Sequence, residues 1–456
     1  MNNKPLKIND DKFRRCPTVY DFMVELYMLL KTNKVHSFRK AYSEFKMSDD
    51  FDCISDDVEY DVQLLNSVGQ DEFYYWVESW VNHKNEHFNF ELMYCFQTLR
   101  EIDKNYQMIF SNRGWYELQG PLNQSSNQTV YLYNVKGDCF QKKYLENNKI
   151  RYGRQTVPYT SSEMMTFKNF MFVDRNSLSG YTPKVNFYNP NFKNSSSIKI
   201  AYAPTDKSKW FDDSHDEITG EINIKYHSNK ENDFFEKYKC LIQTADENGA
   251  DIIIFPELAL FPGLIEKLCA YLKYCNFDYL RMIFIGSCNN NDMNESYILS
   301  SSGTLLCSYN KKHTYDEYDV EVNKYLCENI DHDDNIALLD VKGLGRISYY
   351  ICRDFIFGEM TTICQTMQSD FIFVSAYSRD MITMANQAQA ICSTTSSIII
   401  ICNACAAIDD KGTLTYLAKP KVDKPKQLIT DVKSNNRSSF CRNNCDKCLV
   451  FYTIEF

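Results

Sequence analysis

The sequence predicts an α/β fold with a substantial sheet in its second half, preceded by a mixed, mainly helical region. Three observations predict it. Short, continuously apolar runs such as Ile252-Ile253-Ile254-Phe255 read as strands buried on both faces. From residue 197 onward such runs alternate with stretches of helical spacing, the order of an α/β domain. Before residue 105 the pattern is instead almost wholly helical. A division near residue 195 is therefore expected, into a mixed α+β domain (1–195) and a second domain (196–456).

The elements follow in order. Phe22, Leu26, Leu29 and Leu30 share one helix face, as do Leu92, Phe96 and Leu99. Trp76 and Trp80, with Tyr74 and Tyr75, sit at near-helical spacing and read as core or interface rather than a base-stacking platform. Asp49-Asp50 and Asp56-Asp57 occupy a polar, loop-like stretch and read as solvated. Residues 116–174 read as short β segments, 129–135 among them, between Gly-, Asn- and Gln-rich turns. The Asn-, Pro- and Ser-rich stretch 186–197 reads as a linker. Beyond it, 198–203 is an expected strand. Phe234, Phe235, Tyr238, Leu241, Ile242 and Ala245 mark a helix, and Gly249 stands where a C-terminal cap belongs. Strands are expected at 252–255, 282–285, 297–300, 305–309, 347–351, 371–374 and 398–402, with a helix at 384–392.

Composition excludes several classes. With 44% hydrophobic and 24% charged residues the chain has an ordinary globular balance, not a disordered one. A net charge of -10 argues against a chain that coats nucleic acid or an anionic membrane. The N-terminus is polar, without the apolar core of a signal peptide. The longest apolar run, 398–408, is interrupted by Asn403 and too short to span a bilayer. Eighteen cysteines without an export signal imply a reducing cytoplasm and free thiols. Cys441, Cys445 and Cys448, with Cys402 and Cys405, are enough thiols for zinc, but the C-terminal trio lacks an obvious fourth ligand nearby. Ordinary free thiols, no metal and no cofactor are expected. Residues 1–195 carry neither a phosphate-binding Gly-rich loop nor the paired aspartates of a polymerase.

Three segments carry chemistry. Phe255-Pro256-Glu257 closes one apolar run, Tyr309-Asn310-Lys311-Lys312-His313 follows a hairpin-like stretch, and Ile351-Cys352-Arg353-Asp354 closes another run. Strand ends on one side of an α/β sheet line the binding crevice, so a carboxylate, an amine and a thiol can converge there. Singly, each has an ordinary reading: a capping carboxylate, a solvated hairpin lysine, an inert core cysteine. Together, in order and at strand ends, they suit acyl transfer through a covalent intermediate. His215 and His313 read as structural.

These motifs resemble those of the nitrilase, or carbon-nitrogen hydrolase, superfamily over about residues 197–456. Residues 249–257 resemble its glutamate motif, 302–313 its lysine motif, and 345–354 with Phe357 and Glu359 its cysteine motif. Asn403 matches an asparagine the family often carries after a strand. The resemblance implies a four-layer α-β-β-α sandwich of the nitrilase type. It further implies Cys352 as nucleophile, Glu257 as general base and Lys311 as oxyanion donor, with Glu321 as a supporting second glutamate and Glu317 and Glu328 as its competitors. Lys311 fits the pattern better than Lys312, lying two residues after Tyr309 and two before His313. A raised Glu257 pKa and a thiol lowered by the ammonium are expected. Arg353, Glu328, an insertion at 331–334 and the segment 375–383 depart from the family pattern, which bears on the substrate.

The expected reaction is thiol-dependent hydrolysis of a non-peptide C–N bond, an amide first, on a small-molecule substrate, in a homo-oligomer. The alternative is a catalytically silent nitrilase-fold scaffold or binding protein. Family context also admits a component of a bacterial phage-defence assembly.

Overall fold

The computed structural model describes residues 8–32, 45, 50–67, 72–87, 90–105, 129–134, 170–193, 196–205, 210–290, 293–319, 323–379, 381–408, 411–424, 427–436 and 448–455. Among these, the residues up to Gly180 form one compact unit and those from Tyr181 onward form another.

The first unit contains α1 (Asp11–Arg14), α2 (Val19–Thr32), α3 (Asp50–Ser67), α4 (Phe73–Glu86), α5 (Glu91–Lys104) and an antiparallel pair, β1 (Val130–Asn134) and β2 (Phe170–Asp174). Its core is aromatic. Phe22 of α2 meets Trp76 and Trp80 of α4 edge-on, at 5.1 and 4.9 Å between centroids, the arrangement that ring quadrupoles favour. Both indoles are buried and hydrogen-bonded: Trp80 donates to Thr98 (3.0 Å) and Trp76 to the Asp61 carbonyl (2.7 Å). The tryptophans are thus core, as the spacing predicts, while Tyr74 and Tyr75 of the same helix are exposed. The expected loop around Asp56-Asp57 is instead the interior of α3, where Asp57 pairs with His87 at 2.7 Å. Apolar Ile54, Val58, Val62 and Leu65 recur at helical spacing through that polar sequence and are buried, which is what folds it.

The second unit opens with β3 (Thr182–Tyr188), β4 (Ser197–Tyr202), β5 (Phe211–His215), β6 (Glu221–Tyr226), α6 (Glu231–Glu247), β7 (Ile252–Ile254) and α7 (Leu264–Leu272). It continues through β8 (Met282–Asn290), β9 (Met293–Ser300), β10 (Leu305–Asn310), β11 (Asp316–Asp319), β12 (Lys324–Glu328), β13 (Asn335–Val341) and β14 (Gly345–Ile351). It ends with α8 (Gly358–Thr366), β15 (Phe371–Ala376), α9 (Ile382–Thr395), β16 (Ile398–Asn403), β17 (Thr413–Lys424), β18 (Gln427–Asn436) and β19 (Val450–Glu455). The strands build a six-stranded sheet ordered β10-β9-β8-β7-β4-β19 and a seven-stranded sheet ordered β18-β17-β16-β15-β14-β13-β3. A small four-stranded sheet, β11-β12-β6-β5, accompanies them.

The two large sheets face each other. Phe284 of β8 stacks on Phe373 of β15 at 4.3 Å, and Ser375 of β15 donates to the Phe255 carbonyl at 2.6 Å. Helices cover the outer faces. Tyr238 of α6 stacks on Phe255 at 4.1 Å, and Tyr350 of β14 meets Cys364 of α8 at 2.9 Å. Gln389 of α9 donates to Tyr416 of β17. This is the four-layer α-β-β-α sandwich that the resemblance implies. Continuous Ile, Val and Phe runs form the central strands because both of their faces are covered.

Local chemistry ends the elements where expected. After α6, the N–H of Ala250 reaches the Ala245 carbonyl and that of Gly249 the Asp246 carbonyl, with Gly249 at φ +74°; this is a Schellman cap, and it delivers the chain into β7. The predicted linker begins later than its composition suggests: residues 186–188 belong to β3, which pairs in parallel with β13. An edge strand tolerates such Asn- and Pro-containing sequence because only one of its flanks is in a ladder.

Candidate active site

Two parallel-sheet strand ends and a hairpin end deliver the predicted residues to one place. Glu257 follows β7, Lys311 follows β10 and Cys352 follows β14. All three are buried. The Lys311 ammonium donates to Glu257 Oε1 at 2.9 Å and to Glu328 Oε2 at 2.5 Å. The Cys352 thiol lies beside the Glu257 carboxylate and the Tyr377 N–H. Tyr377 N–H also reaches Glu257 Oε2 at 3.1 Å.

Each side chain is held by its own turn. Cys352 takes φ +45°, a left-handed conformation rare outside glycine, and opens a short 3-10 turn, Cys352–Ile356. Leu258, directly after Glu257, is also left-handed (φ +57°), and its N–H rests on the Ser287 hydroxyl. Gly286 allows this: a Cβ there would lie 2.2 Å from the Pro256 carbonyl oxygen. Asp354 joins the nucleophile turn to the lysine loop. Its buried carboxylate accepts from Lys312 N–H (3.0 and 3.1 Å), His313 N–H (2.7 Å) and the Tyr309 hydroxyl (2.7 Å). His313 is structural in this sense, lying 3.0 Å from Asp354 through Nδ1 and stacked on Phe357.

Lys311 and Lys312 part company here. Lys312 Nζ turns to Asp333, 2.6 Å from its carboxylate and 2.9 Å from its carbonyl, so the inserted 331–334 segment occupies the second lysine. Asn403 uses its whole amide, donating to the Ser378 and Thr413 carbonyls and accepting from Ser378 and Ala404 N–H. It thereby fixes the backbone next to Tyr377. Glu321 lies outside the described residues; the second carboxylate on Lys311 is that of Glu328, one of its two competitors, which also takes the Tyr315 N–H at 3.2 Å. Sequence reasoning missed Asn294. Its amide donates to Glu257 Oε1 and Glu328 Oε1, both at 3.0 Å. Its signal was a polar residue at an inward position of β9, where burial alternates.

Burial raises the Glu257 carboxyl above its ordinary range, against the pull of Lys311 and with a further push from Glu328. Burial alone lowers the Lys311 ammonium, but the two glutamates outweigh it and hold it well above its usual value. The thiol departs from expectation. Burial and then the Glu257 charge push Cys352 well up, and Lys311 offsets them only in part. The ammonium already faces two carboxylates, so little of its field is left for the sulfur. The arrangement therefore places a thiol with a raised pKa beside a carboxyl group that can accept its proton.

Residues 221–416 match the sequence model of the carbon-nitrogen hydrolase family. The C-terminal half carries a carbon-nitrogen hydrolase domain. Solved structures similar to this hydrolase domain include the C. elegans NitFhit protein (15% identity, TM-score 0.40, 57% of this chain and 61% of that one). Saccharomyces cerevisiae Nit3, a member of branch 10 of the nitrilase superfamily, is similar at 12% identity and TM-score 0.36, over 58% of this chain and 93% of that one. An amidase from Nesterenkonia sp. is similar at 12% identity and TM-score 0.35, over 54% and 94%. With these TM-scores below 0.5, the assignment rests on the family match. The chain spans less than two thirds of the worm protein. No curated protein matches the sequence.

Among the described residues, no helix is long and apolar enough to cross a membrane and no group of three or more His, Cys, Asp or Glu is arranged to hold a metal. Cys441 and Cys445 lie outside the described residues; Cys402, Cys405 and Cys448 are buried.

Proposed function

We propose that the hydrolase domain cleaves a non-peptide C–N bond, an amide, through a thioester at Cys352. The observation that carries this reading is the Glu257 carboxylate held between the Lys311 ammonium and the Cys352 thiol. As Sγ bonds the substrate carbonyl carbon, the thiol proton passes to Glu257 and the carbonyl electron pair moves to oxygen. Lys311 has three N–H groups, two of them on carboxylates, and the third serves the oxyanion. Collapse of the tetrahedral species breaks the C–N bond, and Glu257 returns the proton to the departing amine. Water then attacks the thioester, Glu257 takes its proton, and release of the acid restores the thiol.

The test is a panel of small amides with acid quench and mass spectrometry. The expected result is an acyl mass on the Cys352 peptide that Cys352→Ala abolishes, together with loss of turnover. No adduct and no product from any amide, with assembly indifferent to Cys352→Ala, would establish a scaffold instead.

A further inference from the structure

We propose that Asn294 is a positioning residue that decides which oxygen of Glu257 acts as the base, by clamping the two carboxylates beside Lys311; this rests on the catalytic reading above. Asn294 is fully buried near the start of β9. Both of its N–H groups go to carboxylates, one to Glu257 and one to Glu328. Its main-chain carbonyl meanwhile accepts the Lys311 N–H at 2.9 Å. One residue therefore holds the lysine's backbone and both of the lysine's anionic partners.

Charge settles the orientation of the amide. Turned over, its carbonyl oxygen would face two carboxylates, and like-charged ends repel. As placed, Oδ1 is buried without a partner. An unpaired buried acceptor weakens a fold, so stability alone does not explain an asparagine here.

The consequence is a division of labour within Glu257. Oε1 takes Lys311 and Asn294. Oε2 takes the Tyr377 N–H, the same group that faces the Cys352 sulfur. Locking Oε1 thus presents Oε2 to the thiol. Asn294 touches neither sulfur nor substrate in this role; it acts through Glu257.

The experiment follows alkylation of Cys352 by iodoacetamide against pH in the full chain, read by peptide mass, with folding checked by circular dichroism. Asn294→Asp places a third carboxylate around one ammonium, which raises the Glu257 carboxyl. The acidic limb of the alkylation profile is expected to move up by about one pH unit, the low end of a like-charge effect. Asn294→Ser removes the two donors without adding charge; its limb stays, and the rate at neutral pH falls about tenfold, the scale of a misplaced base. A folded Asn294→Asp chain with the wild-type limb overturns the inference, and should that variant not fold, a wild-type rate in Asn294→Ser does the same. Glu257→Gln separates the two levels of argument. If it leaves wild-type alkylation unchanged, the catalytic reading falls and takes this role with it; if it slows alkylation while the Asn294 variants match wild type, this inference alone falls.

Discussion

Asp354→Ala tests how the lysine loop is fixed to the nucleophile turn. The wild-type carboxylate accepts two backbone N–H groups, from Lys312 and His313, and a phenol from Tyr309. Hydrogen bonds to a charged acceptor contribute about 1.5–3 kcal/mol each, and a buried donor left unpaired costs about 1–3 kcal/mol. Lys312 N–H and the Tyr309 hydroxyl are buried, so both are left unpaired. The His313 N–H is only partly buried and regains some of its loss from water. Together these give a loss of roughly 3–5 kcal/mol, a large share of the 5–15 kcal/mol typical of a domain. Tyr309→Phe removes one bond and one donor at once and is expected to lose only about 1 kcal/mol. The assay is urea denaturation followed by fluorescence, with the midpoint converted through a common slope. Because Lys311 precedes Lys312 directly, turnover is expected to fall about a hundredfold even below the denaturation midpoint. Asp354→Ala within about 1 kcal/mol of wild type, with unchanged turnover, would refute the clamp.

Three further outcomes are expected. Lys311→Met leaves two buried carboxylates without their cation and should lower stability by about 3–5 kcal/mol, with part of the loss restored by adding Glu328→Gln; thermal melts of both proteins read this. Gly286→Ala drives a Cβ against the Pro256 carbonyl at a left-handed backbone and should lose at least about 2 kcal/mol, seen as a fall in the denaturation midpoint. Burial and the Glu257 charge together hold Cys352 above the ordinary thiol range, so Glu257→Gln removes both the base and one cause of that rise. Alkylation near neutrality should slow, while the pH at which the thiolate itself reacts should move down toward the ordinary range. Equal profiles for the two proteins would contradict that arrangement.

Glu257 and Cys352 were legible because each follows an apolar strand, and Lys311 because its motif follows a hairpin. The structure brings the three together from strand ends of the two facing sheets. The second carboxylate was harder. β11 and β12 are short and rich in charge (Asp316–Asp319, Lys324–Glu328), so no apolar alternation fixes their register, and Glu317, Glu321 and Glu328 looked alike. β3 was hidden by an Asn- and Pro-bearing edge sequence, and α3 by its acidic surface. The thiol was misjudged because a sequence names its neighbours but not how many anions share one cation. Asn294 lies in the stretch Asn289-Asn290-Asn291-Asp292-Met293-Asn294, where composition speaks for a turn and only the inward alternation from Asn294 through Ser296 to Ile298 speaks for the interior.

The left-handed backbone at Cys352 sets chemistry and robustness against each other. An L-residue in that conformation costs about 1 kcal/mol relative to glycine, and the thiol is dehydrated besides. A library of variants sorted only for heat resistance would therefore enrich glycine at 352 and return sturdier, inert molecules. Persistence of cysteine at this corner then measures demand for its reactivity, which makes stability selections on this domain a way to read its physiology rather than merely to harden it.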